Sequence, residues 1–97
     1  MGDSLYFTQQ EQESEEFRKN YQIEKLTFNT TEEILILMED KGISKTELAM
    51  MLGKSKSCIT QLLNGSRDMT LRTLAEICLA LGVKPEINLN LPEIPDS

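Results

Sequence analysis

Ninety-seven residues suffice for one small domain with tails, burying roughly 60 to 65% of the unfolded surface, and sixteen acids against ten bases leave a net charge of −6. With no histidine and only two cysteines, Cys58 and Cys78, the chain offers no metal-ligand spacing, no disulfide framework and none of the base or nucleophile pairings of an enzyme, so neither catalysis nor a cofactor is expected. No run is apolar enough to cross a bilayer and the N-terminus lacks the basic start and apolar core of a signal peptide, which points to a cytoplasmic protein.

Residues 1–29 form a polar arm rich in Glu and Gln with scattered aromatics. Gln9 to Lys25 has fair helix propensity, and Phe17 and Tyr21, four apart, share a face with Leu26 nearby. So thin a stripe suits either disordered chain or a segment that becomes ordered on a partner.

Residues 30–83 read as a helical domain. Its first helix is expected over 30–41, with Thr30 as N-cap, Glu33 completing a capping box, Ile34, Leu35, Leu37 and Met38 facing inward, and Lys41-Gly42 at its end. The second helix starts at Ser44, whose partner three residues on is Glu47, and stops at Gly53. The third starts at Ser55 and ends at Asn64-Gly65. Leu48, Met51 and Leu52 on one helix and Ile59, Leu62 and Leu63 on the next fall at helical spacing, with small Ala49 allowing close approach. A fourth helix is expected from about Leu71 to Leu81, capped by Thr70 and closed by Gly82, with Leu71, Leu74, Ala75, Ile77, Cys78 and Leu81 inward.

Two short capped helices about a glycine turn are the layout of a helix-turn-helix that reads DNA. Lys56, Ser57, Thr60 and Gln61 lie at i, i+1, i+4 and i+5 on the second of these helices, a polar stripe largely away from Ile59 and Leu62 and suited to base edges and phosphates. The charge is distributed accordingly. Residues 1–40 carry −7, residues 68–97 carry −3, and residues 41–67, with Lys41, Lys45, Lys54, Lys56 and Arg67 against Glu47 alone, carry +4. Basic charge sits where nucleic acid would lie.

Residues 84–97 change period. Glu86-Ile87-Asn88-Leu89-Asn90-Leu91 alternates polar and apolar between Pro85 and Pro92, which predicts a short strand. A lone strand in a helical chain needs a partner: a second copy across a two-fold axis, the arm, or another protein. Self-pairing is the first choice, making Ile87, Leu89 and Leu91 a dimerisation element.

The segment Ile43 to Gly65 resembles the xenobiotic-response-element (Cro/C1 repressor-like) helix-turn-helix family through Gly42-Ile43-Ser44-Lys45, Leu48-Ala49, Leu52-Gly53, Ser55-Lys56-Ser57 and Asn64-Gly65. Thr70-Leu-Arg-Thr-Leu-Ala with Ala80-Leu81-Gly82-Val83 is similar to the helix that closes that domain. The resemblance implies a mostly α, lambda-repressor-like bundle of four to five helices, here with the short C-terminal β-strand. It further implies base contacts from Lys56, Ser57, Thr60 and Gln61, and phosphate contacts from Lys45, Lys54, Ser55 and Arg67, on a palindromic operator in double-stranded DNA. The family usually has glutamine where this chain has Lys45 and Lys56. A lysine donates but cannot accept, so Lys56 either favours guanine over adenine or turns to a phosphate.

Phe17-Arg18-Lys19-Asn20-Tyr21 ahead of the domain and the Lys-Pro-Glu-Ile-Asn-Leu strand behind it are similar to HigA-like antitoxins of toxin–antitoxin pairs. That similarity implies a homodimeric repressor of its own operon whose arm, through Phe17, Tyr21 and Leu26, binds a basic mRNA-cleaving toxin. The alternatives are a stand-alone or phage-type repressor and a protein-interaction adaptor that has lost DNA binding.

Overall fold

The computed structural model describes the backbone of residues 2–90 and the side chains of residues 14–90. Four helices follow one another: α1 over Gly2–Lys41, α2 over Lys45–Leu52, α3 over Lys56–Leu63 and α4 over Leu71–Ala80. The last three match the expected positions to within a residue.

The first does not. The arm and the first core helix are one element, so Thr30 is a helix-interior residue and no N-cap, and the boundary drawn at residue 29 falls within a helix. The physical reason lies in the threonines. Thr27 Oγ1 donates to the carbonyl of Ile23 at 2.9 Å and Thr31 Oγ1 to that of Phe28 at 3.1 Å. Hydroxyls that bond back to the preceding turn compete with no backbone pairing ahead of them, so residues that read as a start signal are accommodated within the helix. No proline or glycine intervenes between Gly2 and Gly42 to stop it. Forty residues at a rise of ~1.5 Å make α1 about 60 Å long, which accounts for the longest dimension of 60 Å.

Among the described side chains of α1, those of its last third enter the core. Ile34 and Met38 enter a core completed by Leu48 and Ala49 of α2, Ile59, Leu62 and Leu63 of α3, and Ile77 with Leu81 at the end of α4. Leu48, Ile59 and Ile77 are wholly shielded from solvent. Leu35, Leu37, Leu52 and Leu74 pack around this centre. Met51 and Leu71, expected inside, are exposed. At about 100° per residue the buried face of α2 is centred between Leu48, Ala49 and Leu52, and Met51 lies roughly a right angle away. Leu71 is the first residue of α4, projecting beyond the packed part of the helix. Cys78 is half-buried, and burial together with the Glu33 carboxylate pushes its thiol above the usual range.

Residues 84–90 follow α4 without regular structure, with Ile87 and Leu89 exposed, and Leu91 lies outside the described residues. A strand requires a neighbour's N–H and C=O groups, and none from the described residues reaches this segment.

Candidate nucleic-acid interface

The interface is built on the α2–α3 corner, and local chemistry sets its angle. At the start of α2, Ser44 Oγ accepts from the Glu47 N–H at 3.1 Å while the Ser44 N–H donates to Glu47 Oε1 at 2.8 Å, the reciprocal capping box expected from the sequence. At its end Gly53 adopts φ 68° and ψ 31°, a left-handed conformation that costs an L side chain about 1–2 kcal/mol. The Lys54 N–H returns to the Ala49 carbonyl at 2.9 Å, closing α2 within one turn and leaving the chain free to reverse. Ser55 then caps α3, its Oγ accepting from the Cys58 N–H at 3.0 Å.

These caps aim α3. With Ile59, Leu62 and Leu63 buried against α1 and α2, Ser57 and Gln61 lie within about 20° of the direction opposite Ile59, and Lys56 and Thr60 flank them on one side. Lys56 and Ser57 are exposed, Thr60 and Gln61 half-buried. Ser57, Thr60 and Gln61 therefore share the outer surface of the helix, and Lys56, about 60° from Ile59, is exposed at its first turn. Lys45 opens α2 and Lys54 sits in the turn between the helices, both half-buried. Ser55 is exposed, and because its oxygen accepts from Cys58, its own O–H is left to donate outward.

Arg67 lies beyond α3, yet the turn after Leu63 brings it back onto that helix. The Ser66 and Arg67 N–H groups both donate to the Gln61 carbonyl, at 3.0 and 3.2 Å, and Asn64 Oδ1 accepts from the Ser66 N–H at 2.8 Å. The Arg67 guanidinium donates through Nη2 to Gln61 Oε1 at 2.9 Å and through Nη1 to Cys58 Sγ at 3.5 Å. Sequence reasoning placed Arg67 beside the reading helix but missed that it grips two of its side chains. The available signal was the Asn64-Gly65 pair, which turns the chain sharply enough to return it. Gly65 has φ 84°, and a Cβ there would come 3.6 Å from Thr27 Cγ2 of α1, so this turn also rests on the long helix.

Among the described residues no group of three or more His, Cys, Asp or Glu could hold a metal ion, and every buried side-chain nitrogen or oxygen is hydrogen-bonded. No described helix is long and apolar enough to cross a membrane.

The arm residues carry a different surface. Phe17, Tyr21 and Phe28 fall within about 40° of one another around α1 and all are exposed. Lys25 Nζ sits 6.0 Å from the centre of the Tyr21 ring. Leu26, also exposed, is on the opposite side of the helix from Phe17, beside Ile23. The expected trio is thus divided between two faces, and Phe28 takes the place given to Leu26.

The family model of the Cro/C1-type helix-turn-helix DNA-binding domain matches residues 33–86. The chain belongs to that family. Comparison with curated proteins and with solved structures gave no match. The matched segment takes in α2, α3, α4 and the core-facing end of α1, making α3 the recognition helix and the chain a DNA-binding regulator. The first 32 residues lie outside the match.

Proposed function

We propose that the chain is a sequence-specific transcriptional repressor that binds a palindromic operator as a homodimer and doubles as the antitoxin of a toxin–antitoxin pair. The observation that carries this reading is the division of α1: its last turns complete a Cro/C1-type domain, whereas the preceding turns extend past that domain and expose Phe17, Tyr21, Ile23, Leu26 and Phe28. A solvated helix gains little from five large apolar side chains, and burying each against a partner is worth ~1.5–3 kcal/mol. Glu11, Glu13, Glu15 and Glu16 at the head of this segment supply negative potential to steer a basic ribonuclease toward it. The exposed Ile87 and Leu89, with Leu91 after them, offer an alternating edge for pairing across the two-fold axis. Two recognition helices would then enter successive major grooves about 34 Å apart and repress by occupancy.

The test is co-expression with the product of the neighbouring reading frame. The neighbour alone should arrest growth and cleave mRNA, and the full chain should prevent both. Phe17→Glu/Tyr21→Glu should fail to protect while binding promoter DNA as well as wild type. A harmless neighbour would leave a stand-alone repressor, and full protection by the double variant would take the toxin-binding surface away from Phe17 and Tyr21.

A further inference from the structure

Arg67 is fastened to the recognition helix by more than its surroundings require. Its backbone N–H and that of Ser66 share the Gln61 carbonyl, and its guanidinium spans Gln61 Oε1 and Cys58 Sγ. Guanidinium nitrogens only donate, so the Gln61 atom facing Nη2 has to be the amide oxygen, and the two orientations otherwise open to a glutamine side chain reduce to one. That leaves the amide nitrogen with its two N–H donors for whatever lies outside the helix.

We propose that Arg67 is a positioning residue that determines base specificity: it holds the Gln61 oxygen toward itself and the Gln61 nitrogen toward the groove, so that Gln61 reads guanine. The proposal deepens the DNA-reading role of α3 and rests on it. A glutamine that reads adenine uses both ends of its amide, the oxygen accepting from N6 and the nitrogen donating to N7. With Oε1 engaged by a cationic donor, the adenine N6–H₂ group meets competition for that acceptor and repulsion from Arg67. Guanine presents N7 and O6, both acceptors, and the Gln61 N–H groups and the remaining guanidinium N–H groups match them. Lys56, at the first turn of the same helix and about 140° around it from Gln61, is likewise a pure donor. No carboxylate lies between Lys54 and Arg67, so the reading surface is weighted toward donors throughout.

The experiment selects binding sites from random double-stranded DNA with the full chain, as wild type, Gln61→Ala, Arg67→Ala and Arg67→Lys, at about 0.15 M salt where casual attraction is screened. Circular dichroism and the unfolding midpoint of each variant show that the fold is retained. The base pair read by Gln61 is the one whose preference disappears in Gln61→Ala. Wild type should require guanine there by about tenfold or more over adenine. Arg67→Ala should lose that preference or turn it to adenine, leaving the other positions of the site unchanged. Arg67→Lys, which keeps a cationic donor for Gln61 Oε1 but cannot span both side chains, should retain part of the preference.

Three results would overturn the proposal. One is wild-type preference for adenine at the Gln61 position. Another is an equal loss by Arg67→Ala on every sequence with the salt slope reduced by about 0.9, the signature of a phosphate contact alone. The third is guanine preference in Arg67→Ala as strong as in wild type. Failure of wild type to select any sequence would instead remove the underlying role of α3, a result distinct from these three.

Discussion

Replacing Lys45, Lys54 and Lys56 together by glutamine isolates the electrostatic part of DNA binding. Lys45 and Lys56 are the first residues of α2 and α3, and Lys54 lies in the turn between them, so all three belong to the corner that faces the duplex. None contributes a side chain to the buried core, and glutamine is tolerated in a first helical turn, so stability should change by less than about 0.5 kcal/mol for each substitution. Each phosphate neutralised releases counterions, giving a slope of about −0.9 in log affinity against log salt per contact, so the variant should lose about 1.8 units of slope through Lys45 and Lys54, and about 2.7 where Lys56 turns to a phosphate rather than a base. Over a fourfold rise from about 50 to 200 mM salt, wild type should then weaken about 12-fold more than the variant, or about 40-fold with Lys56 on a phosphate. Fluorescence anisotropy on one labelled duplex across a salt series measures both slopes. Equal slopes would refute the placement of Lys45 and Lys54 on phosphates, and a loss of only about 0.9 units would restrict it to one of them.

Further outcomes follow from the packing and the caps. Leu48→Ala removes a fully shielded side chain from the junction of α2 with its neighbours and should cost about 2–5 kcal/mol in urea denaturation, a large part of the stability of so small a domain; a loss below about 1 kcal/mol would mean that the core is not closed at this point. Gly53→Ala meets no atom within 4 Å of the added Cβ, so its cost should be conformational only, about 1–2 kcal/mol from the left-handed backbone, and a neutral effect would show that this turn relaxes freely. The raised Cys78 pKa means that the unfolded chain releases the thiol proton first. Stability should therefore be unaffected below the ordinary thiol value of 9.0 and fall as pH rises from there through the higher folded value. Denaturation midpoints from pH 8 to 10.5 should show that decline in wild type and a smaller one in Cys78→Ala, while Glu33→Gln should move the thiol titration downward by removing the neighbouring charge. An identical pH profile in wild type and Cys78→Ala would contradict the assignment.

The helix-turn-helix was legible because its determinants are local. Ser44, Glu47, Gly53, Ser55 and Thr70 act within four residues of themselves, and each capping hydrogen bond expected at Ser44, Ser55 and Thr70 is present. Periodicity placed Leu48, Ile59, Leu62, Leu63 and Ile77 correctly in the core. It failed at Met51, where a strip of apolar residues is wider than the surface the neighbouring helices cover. Thr30 misled for a different reason. Threonine is favoured at caps yet tolerated inside a helix, where Thr27 and Thr31, on either side of this position, each bond to the preceding turn, and the helix running through Thr30 decides which. Arg67 escaped because its hold on Gln61 and Cys58 depends on a turn whose geometry becomes definite only when Asn64 and Gly65 take up their conformations. The alternating segment after Pro85 has no strand partner among the described residues, so its pattern alone could not produce a strand.

Sequence-specific DNA recognition is tested most directly by comparing binding of the full chain to a labelled fragment of its own upstream promoter and to random DNA of equal length, at about 0.15 M salt. The promoter should be preferred by about a thousandfold or more, and Gln61→Ala should remove about 1–3 kcal/mol of that preference with a smaller effect on random DNA. Equal weak binding to both fragments would contradict a repressor and leave a helix-turn-helix domain that serves as a protein-interaction adaptor.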